Sequence, residues 1–189
     1  MRSRLRHDNE TDREPISTYA RYRRSAKSMP IPNAHRILVI GAGVGGISIA
    51  RGLLRDGHDV TVFEKRPDMR PGGGAVTIWS NGSTVLEQLG VDMDGAGQLL
   101  STVRIATSTG RRLVNIDVTT IVERLGGPVR MVPRRVLLDR LLEGFPAERI
   151  RCNSGAVGAV STRDGVRIEF EDGSSAEGDL LIGARRVLP

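Results

Sequence analysis

A chain of 189 residues, 39% hydrophobic and 26% charged, has the length and composition of a globular protein with one substantial core. Its single cysteine, Cys152, excludes an internal disulfide and a cysteine metal cluster, and the histidines His7, His35 and His58 have no metal-ligand spacing, so no metal is expected. The net charge of +6 is concentrated in residues 1–28, where eight Lys/Arg face four Asp/Glu; the remainder holds twenty against eighteen, interspersed, with few aromatics, which argues against a nucleic-acid partner.

Residues 1–33 carry no periodic apolar pattern and are broken by Pro15, Pro30 and Pro32, so the segment reads as a disordered Arg-rich extension, with Met29 as an alternative start. It lacks the apolar stretch of a secretory signal, and no apolar run in the chain is long enough to span a membrane. A cytoplasmic protein with no membrane partner is the expectation.

From Arg36 the pattern becomes regular. Ile37–Ile40 is a continuous β-branched and apolar run of the kind found in a buried parallel strand. Gly41-Ala42-Gly43-Val44-Gly45-Gly46 follows, a Gly-x-Gly-x-x-Gly turn, and Val44 to Arg55 has helical spacing with Ile47, Ala50 and Leu54 on one face. Asp59–Phe63 is a second strand that ends at the carboxylate of Glu64. Strand, glycine turn, helix, strand and acid in that order form the βαβ dinucleotide-binding fingerprint. Each part has a task. Gly41 permits the tight turn, Gly43 lets backbone approach a pyrophosphate, and Gly46 lets the helix pack closely on the sheet. The helix N-terminus offers free N–H groups to phosphate, and Glu64 can accept hydrogen bonds from both ribose hydroxyls. The same carboxylate opposes a 2′-phosphate, although Lys65 and Arg66 beside it weaken that exclusion.

The loop from Lys65 to Gly74 is irregular, and Ala75–Trp79 reads as a strand. A helix begins at Asn81-Gly82-Ser83 and ends near Leu89-Gly90, and a second short amphipathic helix is expected over Asp92–Leu100. Thr102–Ser108 and Arg112–Val118 are strands around Thr109-Gly110, and Val129–Val132 is another. Pro133 opens a helix through Leu142. Residues 149–182 are β-rich: Val166, Ile168 and Phe170 alternate with charged residues, and Asp164-Gly165 and Asp172-Gly173 form hairpin turns. Gly178 to Ala184 is expected to be a third buried strand beside the first two.

These motifs together resemble the class A FAD-dependent monooxygenases, the p-hydroxybenzoate hydroxylase-like aromatic hydroxylases. The resemblance runs from about Arg36 to Ala184. It rests on the fingerprint, on Val62-Phe63-Glu64-Lys65-Arg66, and on Arg70-Pro71-Gly72-Gly73-Gly74 followed by Ala75 to Asn81. It rests also on the helix ending Leu89-Gly90-Val91, on Arg134-x-x-Leu137-x-x-x-Leu141, and on Gly178-Asp179-Leu180-Leu181-Ile182-Gly183-Ala184.

The resemblance implies an α/β fold, a Rossmann-like FAD-binding βαβ sheet with an inserted β-rich segment. It implies FAD as cofactor, with NADH or NADPH as co-substrate and an aromatic or polyketide-like small molecule as substrate. It assigns cofactor binding to Gly41, Gly43, Gly46, Glu64, Lys65 and Arg134; no catalytic residue is assigned. The other reading of Arg134 is a solvated charge beside a proline, and Arg135 fits the register less well. Arg70 is either near the flavin or simply solvated, and Gly72 to Gly74 either admit the isoalloxazine ring or form a flexible turn.

The chain departs from the family at its end. The family continues with Asp-Gly, whereas here Ala184 is followed by Arg185-Arg186-Val187-Leu188-Pro189. The organisation expected is an extension over 1–33, an FAD-binding domain with part of the substrate-domain sheet over 34–184, and an aberrant tail over 185–189 left by a frameshift or premature stop. The C-terminal half of the family fold is expected to be absent and activity impaired. Two alternatives stay open on sequence alone: an NAD(P)-dependent Rossmann dehydrogenase or reductase, and a non-catalytic remnant of the FAD fold.

Overall fold

The computed structural model describes residues 34–69 and 73–184, so the expectations placed on residues 1–33, on Arg70 to Gly72 and on 185–189 lie outside the described residues. The βαβ unit is formed by β1 (Arg36–Ile40), α1 (Val44–Arg55) and β2 (Asp59–Phe63). Two further strands, β8 (Ile150–Arg151) and β12 (Leu180–Gly183), complete a four-stranded sheet in the order β12-β1-β2-β8. All its pairings are parallel, with Val39 opposite both Val62 and Ile182.

The central strands are apolar over most of their length, Arg36, Asp59 and Thr61 excepted, because both of their faces are covered. On one face Ile37, Val39, Val60 and Val62 pack with Ile47 and Ala50 of α1 and with Leu137, Leu138 and Leu141 of α4 (Arg134–Leu142). On the other, Leu38 and Phe63 meet Ile168 and Phe170 of β10 (Gly165–Phe170), with the two phenylalanine rings 4.8 Å apart. β10 is the middle strand of an antiparallel meander with β9 (Ala156–Thr162) and β11 (Ser175–Gly178). Its second turn, at Asp172-Gly173, is closed by the Asp172 carboxylate accepting the Ser174 N–H at 2.9 Å, with Gly173 at φ +79°.

A second antiparallel sheet orders β3 (Ala75–Ile78), β7 (Arg130–Pro133) and β4 (Gln98–Leu99). α2 (Ser80–Gln88) follows β3, and the strands β5 (Thr102–Ala106) and β6 (Arg112–Asp117) form a hairpin.

Three sequence expectations are corrected. Residues 92–100 form no helix. The Asp92 carboxylate accepts the Asp94 N–H in a local turn, and Gly95 and Gly97 sit at φ +70° and +68°, values that break any helix; Gln98 and Leu99 then join β7 as a strand. Val118 does not end β6 but starts α3 (Val118–Leu125), which the periodicity left unassigned. Its caps are conventional: the Asp117 carboxylate accepts the Thr119 N–H and Gly126 is left-handed at φ +83°. Finally, β12 lies beside β1 as expected but is not buried, because it is the edge of its sheet; Leu180 is 51% exposed.

Candidate functional site

The glycine turn sits at the carboxyl end of β1. There the chain passes one way through α1 to β2, while β12 lies on the other side of β1. Such a reversal of strand order opens a crevice at the ends of the strands. Gly41, at φ +105°, donates its N–H to the Phe63 carbonyl at 2.7 Å, which ties the turn to the end of β2. Gly46 faces back on that turn. A Cβ there would run into the Gly41 carbonyl and lie 3.3 Å from the Ala184 methyl, so only glycine lets α1 approach the sheet.

Gly43 differs. It is the extended residue preceding α1, with no side-chain cap, and a Cβ on it would meet nothing within 4 Å. The space in front of the helix N-terminus is therefore open. No hydrogen bond among the described residues engages the Val44 and Gly45 N–H groups, and the first turn of α1 has no acidic residue to compete for them. This arrangement receives an anion.

Glu64 is half-buried at the end of β2. One carboxylate oxygen accepts the Ala42 N–H at 2.9 Å, and the other accepts the Arg66 N–H at 3.1 Å. A carboxylate oxygen has two lone-pair directions, so each oxygen retains one for a ligand hydroxyl. Cys152 lies near: burial pushes its thiol up from the ordinary range, and the Glu64 and Asp68 carboxylates add to the effect. Lys65 is exposed on the turn beyond Glu64.

Arg134 begins α4, and its backbone N–H donates to the Gly74 carbonyl at 3.1 Å. Its side chain lies along Gly73: a Cβ on that glycine, at φ +112°, would sit 3.4 Å from the Arg134 Cδ and 3.6 Å from Nη1. No acidic side chain among the described residues pairs with the Arg134 guanidinium, which is exposed. Arg135, by contrast, faces Asp139 at 3.9 Å on the helix surface, in line with its poorer register.

Gly41, Gly43, Gly46 and Glu64 thus converge on one crevice. Arg134 converges with Gly73 and Gly74 on the stretch leading into β3. The residues present fit the diphosphate and adenosine of a dinucleotide: open amides where phosphate would lie, a glycine cradle that a Cβ would obstruct, and a carboxylate with free lone pairs for a diol. Sequence reasoning missed one participant, the Ala42 N–H, which is invisible in a side-chain motif. It also missed a stabilising contact that touches none of the site residues: Arg51 of α1 reaches across to the Gly90, Leu141 and Glu143 carbonyls, a tertiary contact with no local signature.

The family model for an NAD(P)-binding Rossmann-like domain matches residues 39–98. The FAD-dependent urate hydroxylase of Klebsiella pneumoniae is 32% identical over 152 residues, 79% of this chain and 40% of that protein. The FAD-dependent monooxygenase andE of Emericella variicolor is 31% identical over 156 residues, 80% of this chain and 33% of the other. Among solved structures, Klebsiella pneumoniae HpxO complexed with FAD and uric acid superposes with a TM-score of 0.68 at 30% identity, covering 77% of this chain and 38% of that one. The tetrameric form of 2-methyl-3-hydroxypyridine-5-carboxylic acid oxygenase gives 0.66 at 28%, covering 79% and 38%. The chain therefore spans between 33% and 40% of the length of these relatives. In both sequence and fold, the chain matches the N-terminal portion of class A FAD-dependent monooxygenases over about 80% of its own length.

Proposed function

We propose that residues 34–184 form an FAD-binding domain carrying part of a substrate-domain sheet. The chain then serves an NAD(P)H- and O2-dependent hydroxylation of an aromatic or polyketide-like small molecule. The observation that carries the reading is the crevice at β1, where the open amides of α1 and the Glu64 carboxylate are joined through the Ala42 N–H. The ring-bearing compounds in the relatives' names, uric acid and a hydroxypyridine carboxylic acid, support an aromatic substrate. The lone, unpaired Cys152 fits a cytoplasmic setting.

FAD, when bound, would supply the redox chemistry, in which two electrons from NADH or NADPH and O2 put one oxygen atom on the substrate and release the other as water. The chain's own residues bind and orient. The amides at the start of α1 face the diphosphate, and Gly43 keeps that approach clear. Glu64 accepts from the adenosine ribose, and its charge repels a 2′-phosphate. Arg134 offers a guanidinium to the diphosphate or adenosine side, and Lys65 adds positive charge at the exposed turn.

The test is titration of the purified chain with FAD, followed by quenching of flavin fluorescence, with NAD and NADP as competitors. Saturable FAD binding that is lost in Glu64→Arg and not displaced by NAD supports the flavoprotein reading. NAD bound in place of FAD would move the chain to the dehydrogenases. Binding of neither would leave a remnant of the fold.

A further inference from the structure

Resting on that reading, we propose that Asn153 is a positioning residue for the adenosine ribose, acting through Glu64. The regular pairing of β2 with β8 covers only Val62 with Ile150 and Phe63 with Arg151. Backbone bonds nevertheless continue past it. The Glu64 N–H donates to the Arg151 carbonyl at 2.8 Å, the Ser154 N–H to the Glu64 carbonyl at 2.8 Å, and the Asn153 N–H to the Arg66 carbonyl at 3.0 Å. Both backbone groups of Glu64 are thus held by the segment 151–154, as is the carbonyl of the residue whose N–H binds its carboxylate.

For the Asn153 and Ser154 N–H groups both to face residues 64–66, the chain must turn back at Asn153. It does so at φ +55°, the only positive φ of a non-glycine among the described residues. Asparagine enters this left-handed region more readily than other residues bearing a Cβ, and β-branched residues are genuine outliers there. The side chain is exposed, and no hydrogen bond among the described residues engages it, so its role is conformational. Were residue 153 to leave this conformation, the clamp on residues 64–66 would open. The Glu64 carboxylate would then lose its fixed distance to Ala42 and to the ribose.

The experiment is a double-mutant cycle on FAD affinity, read by flavin fluorescence quenching, with thermal melting recorded for each variant. Asn153→Gly, which adopts the same φ freely, is expected to bind FAD within about threefold of the unaltered chain. Asn153→Val is expected to lose about tenfold or more. In a Glu64→Ala background, with no carboxylate left to position, Asn153→Val is expected to cost less than about twofold. Should the valine variant not fold, Asn153→Ala carries the same comparison with a smaller loss.

Unchanged FAD affinity in Asn153→Val and Asn153→Ala would overturn the proposal. So would a loss that persists in full without Glu64, which is the signature of a merely structural role. Failure of the unaltered chain to bind FAD would instead remove the reading on which the proposal rests. The two failures are therefore told apart by the first titration.

Discussion

The Glu64 carboxylate accepts the Ala42 N–H at 2.9 Å, which joins the end of β2 to the glycine turn after β1. The group suited to a ribose and the turn suited to a diphosphate are therefore one hydrogen-bonded unit, closed on the backbone side by the Gly41 N–H to the Phe63 carbonyl. A charge-assisted bond of this kind contributes about 1.5–3 kcal/mol.

Removing the carboxylate should consequently be felt at the turn even without ligand. In Glu64→Ala the Ala42 amide loses its only acceptor among the described residues and is expected to exchange with solvent faster than in the unaltered chain. Hydrogen exchange of the ligand-free chain checks this. Equal protection of Ala42 in both would show that the turn is set by the glycines alone.

Gly43 and Gly46 belong to the same motif but predict opposite outcomes. At Gly46 a Cβ strikes the Gly41 carbonyl, and the turn or the helix must shift. Gly46→Ala is expected to lower stability by about 1–3 kcal/mol, measured by chemical denaturation. At Gly43 a Cβ enters open space, so Gly43→Ala should melt within a degree or two of the unaltered chain, on the order of the small changes expected away from a packed core. Its FAD affinity should nevertheless fall, because the methyl occupies the approach to the α1 amides. A Gly43→Ala chain that binds FAD normally would mean that the diphosphate lies elsewhere.

The βαβ unit was legible because its local signals agree with its tertiary role. Ile37 to Val39 are buried and Ile40 is half-buried, with both faces of β1 covered, so they read as a continuous apolar run; Gly41 takes a positive φ and Gly46 has no room for a Cβ. Residues 92–100 misled because they read as a short amphipathic helix, whereas Gly95 and Gly97 dictate left-handed backbone and β7 supplies a strand partner. α3 carried its signals, Asp117 before it and Gly126 after it, but the alternation of β6 runs straight into Val118 and masks the boundary. Asn153 was beyond reach, since its φ follows from what the segment must contact. The Glu64 link to Ala42 is likewise a consequence of folding rather than of residue type.

Arg51 illustrates a stabilising contact that arises only on folding. Its Nη1 donates to the Leu141 carbonyl at 2.9 Å and to the Glu143 carbonyl at 2.8 Å at the end of α4, and its Nη2 reaches the Gly90 carbonyl after α2 at 3.4 Å. One cation thus caps the carboxyl ends of two helices, where the helix dipole favours positive charge. Arg51→Ala is expected to cost about 2–3 kcal/mol in urea denaturation, with Arg51→Lys recovering only a part because an ammonium lacks the planar fork. A loss below about 0.5 kcal/mol would place Arg51 among ordinary surface charges.

Cys152 supplies a pH prediction whose sign follows from its surroundings. Burial, chiefly, and then the Glu64 and Asp68 carboxylates raise the thiol above its ordinary value of 9.0. The folded state therefore holds this proton more tightly than the unfolded state. The difference leaves stability untouched below the unfolded value and erodes it as pH rises through the folded one. Cys152→Ser should accordingly flatten the fall of melting temperature on the alkaline side, above about pH 8.5, and leave it unchanged near neutrality. Alkylation gives the independent check: at neutral pH iodoacetamide should modify Cys152 more slowly than a free thiol, since the thiolate is the reacting form. Glu64→Gln should speed that reaction by removing one of the two charges that disfavour the thiolate. A rate equal to that of the free thiol, indifferent to Glu64, would place Cys152 out of electrostatic reach of the ribose carboxylate.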